Sequence, residues 1–234
     1  MPPSASQLIR GGTRLGPVPL VPEISLYQAP EPMDLWQRTE LAAGRAGLDP
    51  PFWAFAWAGG QALARYLLDH PGVVAGARVI DIASGSGLVA IAAALAGAGT
   101  VTAYDIDPLA TEAIALNAAA NGVAVRAVCA DILDGAGPPE EGTGVVLAAD
   151  AFYQRDLAAR VTRFAERCRA GGATVLAGDF GRAYLPRERL VPLATVDVPG
   201  LAVLEDSDIK PTTVWTLAPD GEGREGADGA AGEQ

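Results

Sequence analysis

A short apolar run that ends in an acid and then a glycine-rich turn, ARVIDIASGSG, most constrains what this chain can fold into. The run predicts a buried strand over Arg78–Ile82, which delivers Asp81 to its carboxyl end. Gly85 and Gly87 let the backbone turn sharply and approach a ligand closely, because neither carries a Cβ. The Ala- and Leu-rich segment Leu88–Ala96 follows and predicts a helix, which completes a strand–loop–helix unit typical of nucleotide sites.

Strands and helices alternate along the middle of the sequence. Strands are predicted at Arg78–Ile82, Thr100–Asp105, Val125–Ala130, Val145–Ala149 and Thr174–Ala177, and helices at Ala58–Asp69, Leu88–Ala96, Leu109–Asn121 and Asp156–Arg169. Continuous apolar strands joined by helices are typical of a parallel sheet covered on both faces. Thr195–Val198 and Thr213–Leu217 have no long helix between them and predict an antiparallel C-terminal hairpin. We therefore predict an α/β fold with a Rossmann-like, seven-stranded, mostly parallel sheet and helices on both faces.

The chain length of 234 residues suits one α/β domain with a full core, which we expect over residues 23–217. Residues 1–22 are rich in Pro and Gly and show little periodicity, so we expect a flexible N-terminal segment there. Residues 218–234 carry no large apolar side chain. They predict a disordered tail, because such a segment buries too little surface to offset its ordering entropy.

Composition limits which cellular compartment and which class of partner we expect for this protein. The formal net charge of −11 argues against a nucleic acid as the main partner, since nucleic-acid-binding proteins usually present a basic face. The apolar stretches fall short of the roughly 20 residues that a membrane-spanning helix needs, and the N-terminus lacks the apolar core of a secretory signal. Cys129 and Cys168 lie outside any metal-binding pattern and suit a reducing compartment. We expect a cytoplasmic protein with no membrane partner and no metal.

Three further acids fall at or near the ends of later apolar runs, namely Asp105, Asp131 and Asp150. Together with Asp81 they predict a rim of carboxylates at the carboxyl ends of successive strands. Ligands of open α/β sheets bind at this edge. The plainer interpretation of each acid is a cap for the helix or turn that follows its strand.

Two classes of nucleotide cofactor compete for this rim. The segment from Gly85 to Ala90 fits the G-x-G-x-x-G/A pattern of dinucleotide enzymes, with Asp105 about 20 residues further on as a ribose ligand. Asp81, however, precedes the glycines and would repel a pyrophosphate, whereas it suits a cofactor with a positive charge and an amino group, such as S-adenosylmethionine. The pattern therefore favours a methyltransferase over an NAD(P)-dependent oxidoreductase. A binding module that kept the fold without catalysis also stays open.

Several segments beyond the glycine turn carry a resemblance to a known family. They are VPEISLY, PPFWAFAWAGGQALARYLLDHP, DIASGSGLVAIAAA, DIDPLATEAIALNAAANGV, ADAFYQRDLA, GDFGRAYLP and TTVW. With these segments the chain resembles the seven-stranded S-adenosylmethionine-dependent methyltransferases. More narrowly, it resembles the electron-transfer flavoprotein β-subunit lysine methyltransferases and their bacterial relatives. The resemblance extends from about Val21 to Leu217.

The resemblance implies S-adenosylmethionine as the cofactor and a set of residues that bind it. Asp81 is expected to hold the amino group, with the backbone amides of Gly85 and Gly87 along its path. Asp105 is expected to bind both ribose hydroxyls. Asp131 is expected to accept a hydrogen bond from the adenine amino group, with a turn cap as its alternative role. The predicted cofactor-binding set is completed by Trp57, Ala83, Ile106 and Ala149.

The segment after the fourth predicted strand is expected to receive the methyl acceptor. Asp150 and Tyr153 are the predicted catalytic residues, because an amine nucleophile must be desolvated and oriented by a hydrogen-bonding group. The plainer role of Asp150 is to cap the next helix. The predicted substrate-binding residues are Phe152, Asp179 and Arg182.

The predicted reaction is methylation of a protein lysine, with the electron-transfer flavoprotein β-subunit as the substrate. A ribosomal protein or a small-molecule amine is the alternative acceptor.

Trp57 is expected to offer its indole to the methionine end of the cofactor, or else to pack as a buried aromatic. His70 is the only histidine and lies at a predicted helix end, which argues against a histidine triad or a zinc site.

Overall fold

Six α-helices and nine strands build the part of the chain that the computed structural model describes, residues 3–135, 138, 140–199 and 209–218. The strands are β1 (Arg14–Pro17), β2 (Ser25–Gln28), β3 (Arg78–Ile82), β4 (Thr100–Asp105), β5 (Arg126–Cys129), β6 (Val145–Ala149), β7 (Thr174–Asp179), β8 (Leu190–Pro199) and β9 (Ile209–Leu217). The helices are α1 (Ala5–Gly12), α2 (Pro32–Ala43), α3 (Ala58–Asp69), α4 (Leu88–Leu95), α5 (Pro108–Ala120) and α6 (Arg155–Ala170).

Seven of these strands form the main sheet in the order β5-β4-β3-β6-β7-β9-β8, while β1 and β2 form a separate antiparallel pair. The five strands from β5 to β7 run parallel, and β9 pairs antiparallel with both β7 and β8. The predicted sheet and its antiparallel C-terminal pair are therefore confirmed. The chain moves outward from β3 to β5 and then returns to begin β6 on the other side of β3. The crevice between β3 and β6 is the topological switch point, where ligands of open α/β sheets bind.

Alternate side chains of the parallel strands supply the two buried faces of the sheet. Val79 and Leu147 belong to the apolar cluster that includes α3, α4 and α5. Ile80 and Val146, their neighbours in sequence, belong to the cluster on the side of α6. Because both faces are covered, the parallel strands carry continuous apolar runs instead of alternating ones.

The strands of the antiparallel pair are longer than the sequence predicts. β8 forms the edge of the sheet over Leu190–Pro199, whereas the predicted strand covers only Thr195–Val198. Pro192 and the exposed alternate positions of β8 interrupt the apolar run in the sequence. An edge strand tolerates both features, because one of its sides needs no hydrogen-bonding partner.

The N-terminal segment corrects the sequence prediction. A flexible stretch is predicted over residues 1–22, yet α1 and β1 form there, and Ile9 of α1 is fully buried. α1 begins with a capping box, in which Ser4 Oγ accepts from the Gln7 amide and the Gln7 side chain accepts from the Ser4 amide.

Distant side chains hold this N-terminal region in place. The side-chain oxygens of Asn117 and Asn121, both near the end of α5, accept hydrogen bonds from the backbone amides of Tyr27 and Ser25 in β2 at 2.8 and 2.9 Å. The capping box of Ser4 and Gln7 is a sequence signal for α1, but elements this short depend on tertiary partners for their stability. The predicted tail over 218–234 lies, apart from Ala218, outside the described residues. Among the described helices, none combines the length and the apolar character that crossing a membrane requires.

Candidate active site

A cavity of about 780 Å³ lies at the carboxyl ends of β3, β4 and β6. The N-terminal helices also line it, through Leu8 of α1 and Thr39 of α2. All four predicted rim acids line it, namely Asp81, Asp105, Asp131 and Asp150. The strand ends and the switch point therefore bring together the carboxylates that lie far apart in the sequence.

Asp81 is the most deeply buried of these four acids, with 1% of its surface exposed. Ser84 Oγ donates a hydrogen bond to Asp81 Oδ2 at 2.5 Å. Burial raises the pKa of the Asp81 carboxyl to about 7, and the Ser84 hydrogen bond opposes this rise. An ammonium group beside Asp81 would favour the charged carboxylate again. Asp81 therefore fits the role of partner for a cationic ligand group.

Asp105 ends β4 with its carboxylate fixed by two backbone amides. Gly85 donates to Asp105 Oδ2 at 2.8 Å, and Asp107 donates to Asp105 Oδ1 at 3.0 Å. Asp107 itself caps α5, because its Oδ1 accepts from the Leu109 amide at 2.8 Å. The capping role is therefore filled by Asp107, and Asp105 presents its carboxylate to the cavity. This rigid placement suits a bidentate contact to neighbouring hydroxyls.

Two residues of the turn after β3 have left-handed backbones within the cavity wall. Ala83 has φ +50° and Gly85 has φ +54°, and both line the cavity. A left-handed alanine is uncommon, and such strain clusters at functional sites. Gly87 also has a positive φ of +80°, but it does not line the cavity, and a Cβ there would lie 3.2 Å from the Ile114 side chain of α5. Gly87 therefore allows α5 to pack closely, and its contribution to cofactor binding stays a prediction.

We expect Gly87→Ala to lower the free energy of unfolding by about 1–2 kcal/mol from backbone strain, with a further loss from the contact to Ile114. Gly97→Ala is the matched control, since Gly97 has φ +89° and open space around its Cβ position. Urea unfolding of both variants separates the packing loss from the strain. A stability loss for Gly87→Ala no larger than that for Gly97→Ala would contradict the packing role.

Asp131 has the turn-cap role that the sequence offers as its alternative, and it also forms an ion pair. Its Oδ1 accepts from the Leu133 amide at 3.1 Å, which is a turn cap, and its Oδ2 accepts from Arg160 Nη2 at 2.7 Å. Arg160 of α6 also binds Asp134 and lines the cavity. Sequence reasoning missed Arg160, because its position on α6 reads as an ordinary solvent-facing arginine. The ion pair holds Asp131 at the cavity wall.

Aromatic side chains form one wall of the cavity. Trp57 Nε1 donates to the Phe52 carbonyl oxygen at 2.8 Å. The Phe52 ring centroid lies 6.0 Å from that of Trp57 and 5.6 Å from that of Tyr153. All three residues line the cavity, and 43% of the Tyr153 surface is exposed. Burial raises the pKa of the Tyr153 hydroxyl, so this phenol stays protonated at neutral pH and can donate a hydrogen bond.

Asp150 follows β6 with a left-handed φ of +56° and binds the beginning of α3. Its Oδ1 accepts from the Gly59 amide at 3.1 Å, and its Oδ2 accepts from the Gly60 amide at 2.7 Å. The plainer sequence interpretation, a cap for the next helix, is wrong, since Gln154 occupies the N-cap position of α6. Asp150 therefore satisfies the unpaired amides of α3, where the helix dipole also favours a negative charge.

Arg182 joins Asp150 to a second buried acid. Arg182 Nη1 lies 2.6 Å from Asp150 Oδ1 and 2.9 Å from Asp179 Oδ2. Asp179 is fully buried, does not line the cavity, and also accepts from the Gly181 and Arg182 amides. Asp179 therefore positions Arg182, and its substrate-binding role stays a prediction. Burial raises the pKa of the Asp150 carboxyl, and the positive charge of Arg182 opposes the rise.

The backbones of Gly59 and Gly178 touch directly beneath this ion-pair network. A Cβ on either glycine would clash with the carbonyl oxygen of the other. The Asp150 amide also donates to the Gly178 carbonyl oxygen at 2.9 Å. The start of α3, the end of β7 and Asp150 therefore form one tightly packed unit.

The remaining predicted residues divide between the cavity and the core. Ala149 lines the cavity, and so does Ile106, which is 70% exposed at the rim. Phe152 is buried in the apolar cluster on the side of α6 and does not line the cavity. Phe152 thus packs into the core while its neighbour Tyr153 lines the cavity, and the substrate-binding role of Phe152 stays a prediction. His70 stacks on Tyr66 at 4.3 Å, outside the cavity.

The described ranges contain no group of three or more His, Cys, Asp or Glu residues that could hold a metal ion.

Solved structures share the fold. One is a Thermoplasma acidophilum protein with a TM-score of 0.51 and 21% identity, covering 69% of this chain and 90% of that one. Another is the 16S rRNA N2 G1207 methyltransferase of T. thermophilus with AdoMet and guanosine, with a TM-score of 0.50 and 16% identity, covering 83% of this chain and 47% of that one.

Sequence comparisons identify the family. A model of the ribosomal protein L11 methyltransferase (PrmA) family matches residues 61–174. The electron transfer flavoprotein beta subunit lysine methyltransferase of Xenopus laevis is 38% identical over 208 residues, which cover 86% of this chain and 82% of that protein. The human protein of the same name is 35% identical over 207 residues, covering 86% and 76%. The chain therefore belongs to the electron transfer flavoprotein beta subunit lysine methyltransferase family and is an S-adenosylmethionine-dependent methyltransferase.

Proposed function

We propose that this enzyme methylates a lysine side chain of the electron transfer flavoprotein β-subunit. The observation that carries the proposal is one cavity lined by two chemically distinct groups of residues. Asp81 and Asp105 belong to the group that we call the carboxylate side, and Asp150 with the aromatic wall of Phe52 and Tyr153 forms the group that we call the acceptor side. Similarity to relatives named for this substrate over 86% of the chain supports the choice of acceptor.

The carboxylate side fits the cofactor chemically. The buried Asp81 carboxyl, whose pKa burial raises to about 7, needs a cationic partner such as an amino group. Asp105 would hold the ribose hydroxyls, while Asp131, fixed by Arg160, would face the adenine amino group. When bound, S-adenosylmethionine supplies an activated methyl group on sulfur. Trp57 lines the same cavity, with its ring 6.0 Å from that of Phe52.

The acceptor side can desolvate and orient an amine. A lysine ammonium has an ordinary pKa of about 10.4, so the reactive neutral amine must be favoured by its surroundings. The aromatic rings of Phe52 and Tyr153 remove water from the amine and lower its pKa. Asp150 Oδ2, with the Gly60 amide as its donor, can accept a hydrogen bond from the amine, and the Tyr153 hydroxyl can donate one. The rate then comes chiefly from alignment and exclusion of water.

A ribosomal protein or a small-molecule amine is the second candidate acceptor. The PrmA family model favours a ribosomal protein, but its match covers only residues 61–174.

We further propose a cytoplasmic location without a nucleic-acid or membrane partner. The net charge of −11 and the two free cysteines support that assignment.

Methyl transfer from labelled S-adenosylmethionine to purified electron transfer flavoprotein tests the acceptor. We expect label on a lysine of the β-subunit, located by peptide mass spectrometry, and no label on ribosomal protein L11 in a parallel reaction. Tyr153→Phe removes one hydrogen bond, so we expect kcat to fall by up to about tenfold while the fold is kept. Glu141→Gln, an exposed change outside the cavity, is the control and should leave kcat unchanged. Label on L11 alone would transfer the proposal to that substrate, and label on no lysine would end it.

A further inference from the structure

The loop that precedes the aromatic wall is held by side chains of α2. The Glu40 carboxylate accepts hydrogen bonds from the Gly47 and Leu48 amides at 2.5 and 3.2 Å. Trp36 Nε1 donates to the Leu48 carbonyl oxygen at 3.0 Å. This loop therefore has a fixed course, although it lies on the surface and contains no regular structure.

Asp49 comes next, and its backbone is restricted by the residues on both sides. Leu48 before it is held by α2, and Pro50 after it restricts its backbone to extended conformations. Asp49 is exposed and lines the cavity together with Phe52 and Tyr153. Within the described part of the chain, it forms neither a hydrogen bond nor an ion pair.

The charge of Asp49 is felt inside the cavity. After burial, the negative charge of Asp49 is the next contribution that raises the pKa of the Tyr153 hydroxyl. Burial raises the pKa of Asp107, at the beginning of α5, and the Asp49 charge adds a smaller contribution in the same direction. Asp49 therefore lines the same cavity as the phenol that we propose contacts the substrate amine, and its charge acts on that phenol.

Asp150 cannot serve as the first contact for a charged lysine. Its side chain is only 11% exposed, and it already accepts hydrogen bonds from Gly59, Gly60 and Arg182. The ammonium must lose its water before it reaches Asp150, which calls for an outer group that attracts the charge while it is still hydrated.

We propose that Asp49 is this outer group, a carboxylate that attracts and positions the substrate lysine ammonium at the mouth of the cavity, beside Phe52 and Tyr153. The inference rests on the proposed lysine acceptor and adds a residue that determines substrate specificity. An exposed ion pair of this kind contributes modestly to affinity and strongly to the salt dependence of association.

Steady-state methylation of the electron transfer flavoprotein by Asp49→Asn tests this role. We expect KM for the protein substrate to rise about threefold to fivefold, with kcat within twofold of the wild type. The decline of kcat/KM with added salt should become shallower, because one attractive charge is lost. Asp49→Glu restores the charge and should recover most of the wild-type KM. Glu141→Gln removes an acid outside the cavity and should change neither parameter.

Binding of S-adenosylhomocysteine, measured by calorimetry, separates this role from a cofactor role. An unchanged Kd in Asp49→Asn together with a raised KM supports the inference. A weakened Kd, or a KM within 1.5-fold of the wild type at low salt, would overturn it. If the wild-type enzyme labels no lysine but binds S-adenosylhomocysteine, the proposed acceptor fails before Asp49 is tested, so the two failures are distinguishable.

Discussion

Asp81→Asn is expected to weaken the binding of S-adenosylhomocysteine by at least about 30-fold while it makes the ligand-free protein more resistant to heat at pH 8. The loss of affinity follows because the amide cannot supply the negative charge that an amino group needs in a buried site. The gain of stability follows because the wild-type carboxylate is almost completely buried and has no cationic partner among the described residues.

The pH dependence of this stability difference has a defined sign. The pKa of Asp81 is about 7 in the folded protein, above its ordinary value of 3.8. Between about pH 4 and pH 7 the folded protein therefore keeps a proton on Asp81 that the unfolded chain has already released. The stability contribution of Asp81 therefore falls as the pH rises through that window. The advantage of Asp81→Asn in melting temperature should be largest at pH 8 and should shrink towards pH 5.

Thermal unfolding with and without S-adenosylhomocysteine, at pH 5 and pH 8, measures both effects. Asp34→Asn is the control, since Asp34 is an exposed acid paired with Arg38 on α2 outside the cavity. It should change melting temperature and ligand response little at either pH. A wild-type ligand response in Asp81→Asn would remove Asp81 from the cofactor site.

Arg182→Met is expected to lower the free energy of unfolding by about 3–5 kcal/mol at pH 8. The guanidinium lies between Asp150 and Asp179, whose side chains are 11% and 0% exposed, so its removal leaves two buried carboxylates without a cation. At pH 5 the loss should be smaller, because burial without Arg182 raises the pKa of Asp150 further and lets it take up a proton.

Equilibrium unfolding in guanidinium chloride at the two pH values measures this loss. Arg163→Met on the exposed face of α6 is the control and should stay within about 0.5 kcal/mol of the wild type. The double variant Arg182→Met/Asp150→Asn should recover part of the loss, because it removes one of the stranded charges. A loss below about 1 kcal/mol at pH 8 would mean that water reaches these carboxylates freely.

The sheet and the acids of the site can be predicted from the sequence for one physical reason. Parallel strands buried on both faces must be short apolar runs, so their ends are visible, and Asp81, Asp105 and Asp150 stand at or near those ends. Tyr153 could also be placed in the cavity, whereas Phe152 could not be placed in the core. The two aromatic neighbours look alike in sequence, and only the path of the chain after β6 separates them.

Other parts of the site depend on contacts between segments far apart in the chain. Arg160 reaches Asp131 from the surface of α6, and Arg182 links two strand ends, so neither pairing has a local signature. The loop before Asp49 is held by Glu40 and Trp36, which read in sequence as ordinary residues of an amphipathic helix. The N-terminal helix α1 has a capping signature in its sequence, but a helix of eight residues is stable only through packing such as that of Ile9.

The contact between Gly59 and Gly178 restricts how this sequence can vary. Each residue leaves no room for a side chain on the other, and both carbonyl oxygens take part. A larger residue at one position cannot be offset at its partner, because nothing smaller than glycine exists. Both positions therefore have to remain glycine, and substitutions around the acceptor side are tolerated only at other residues.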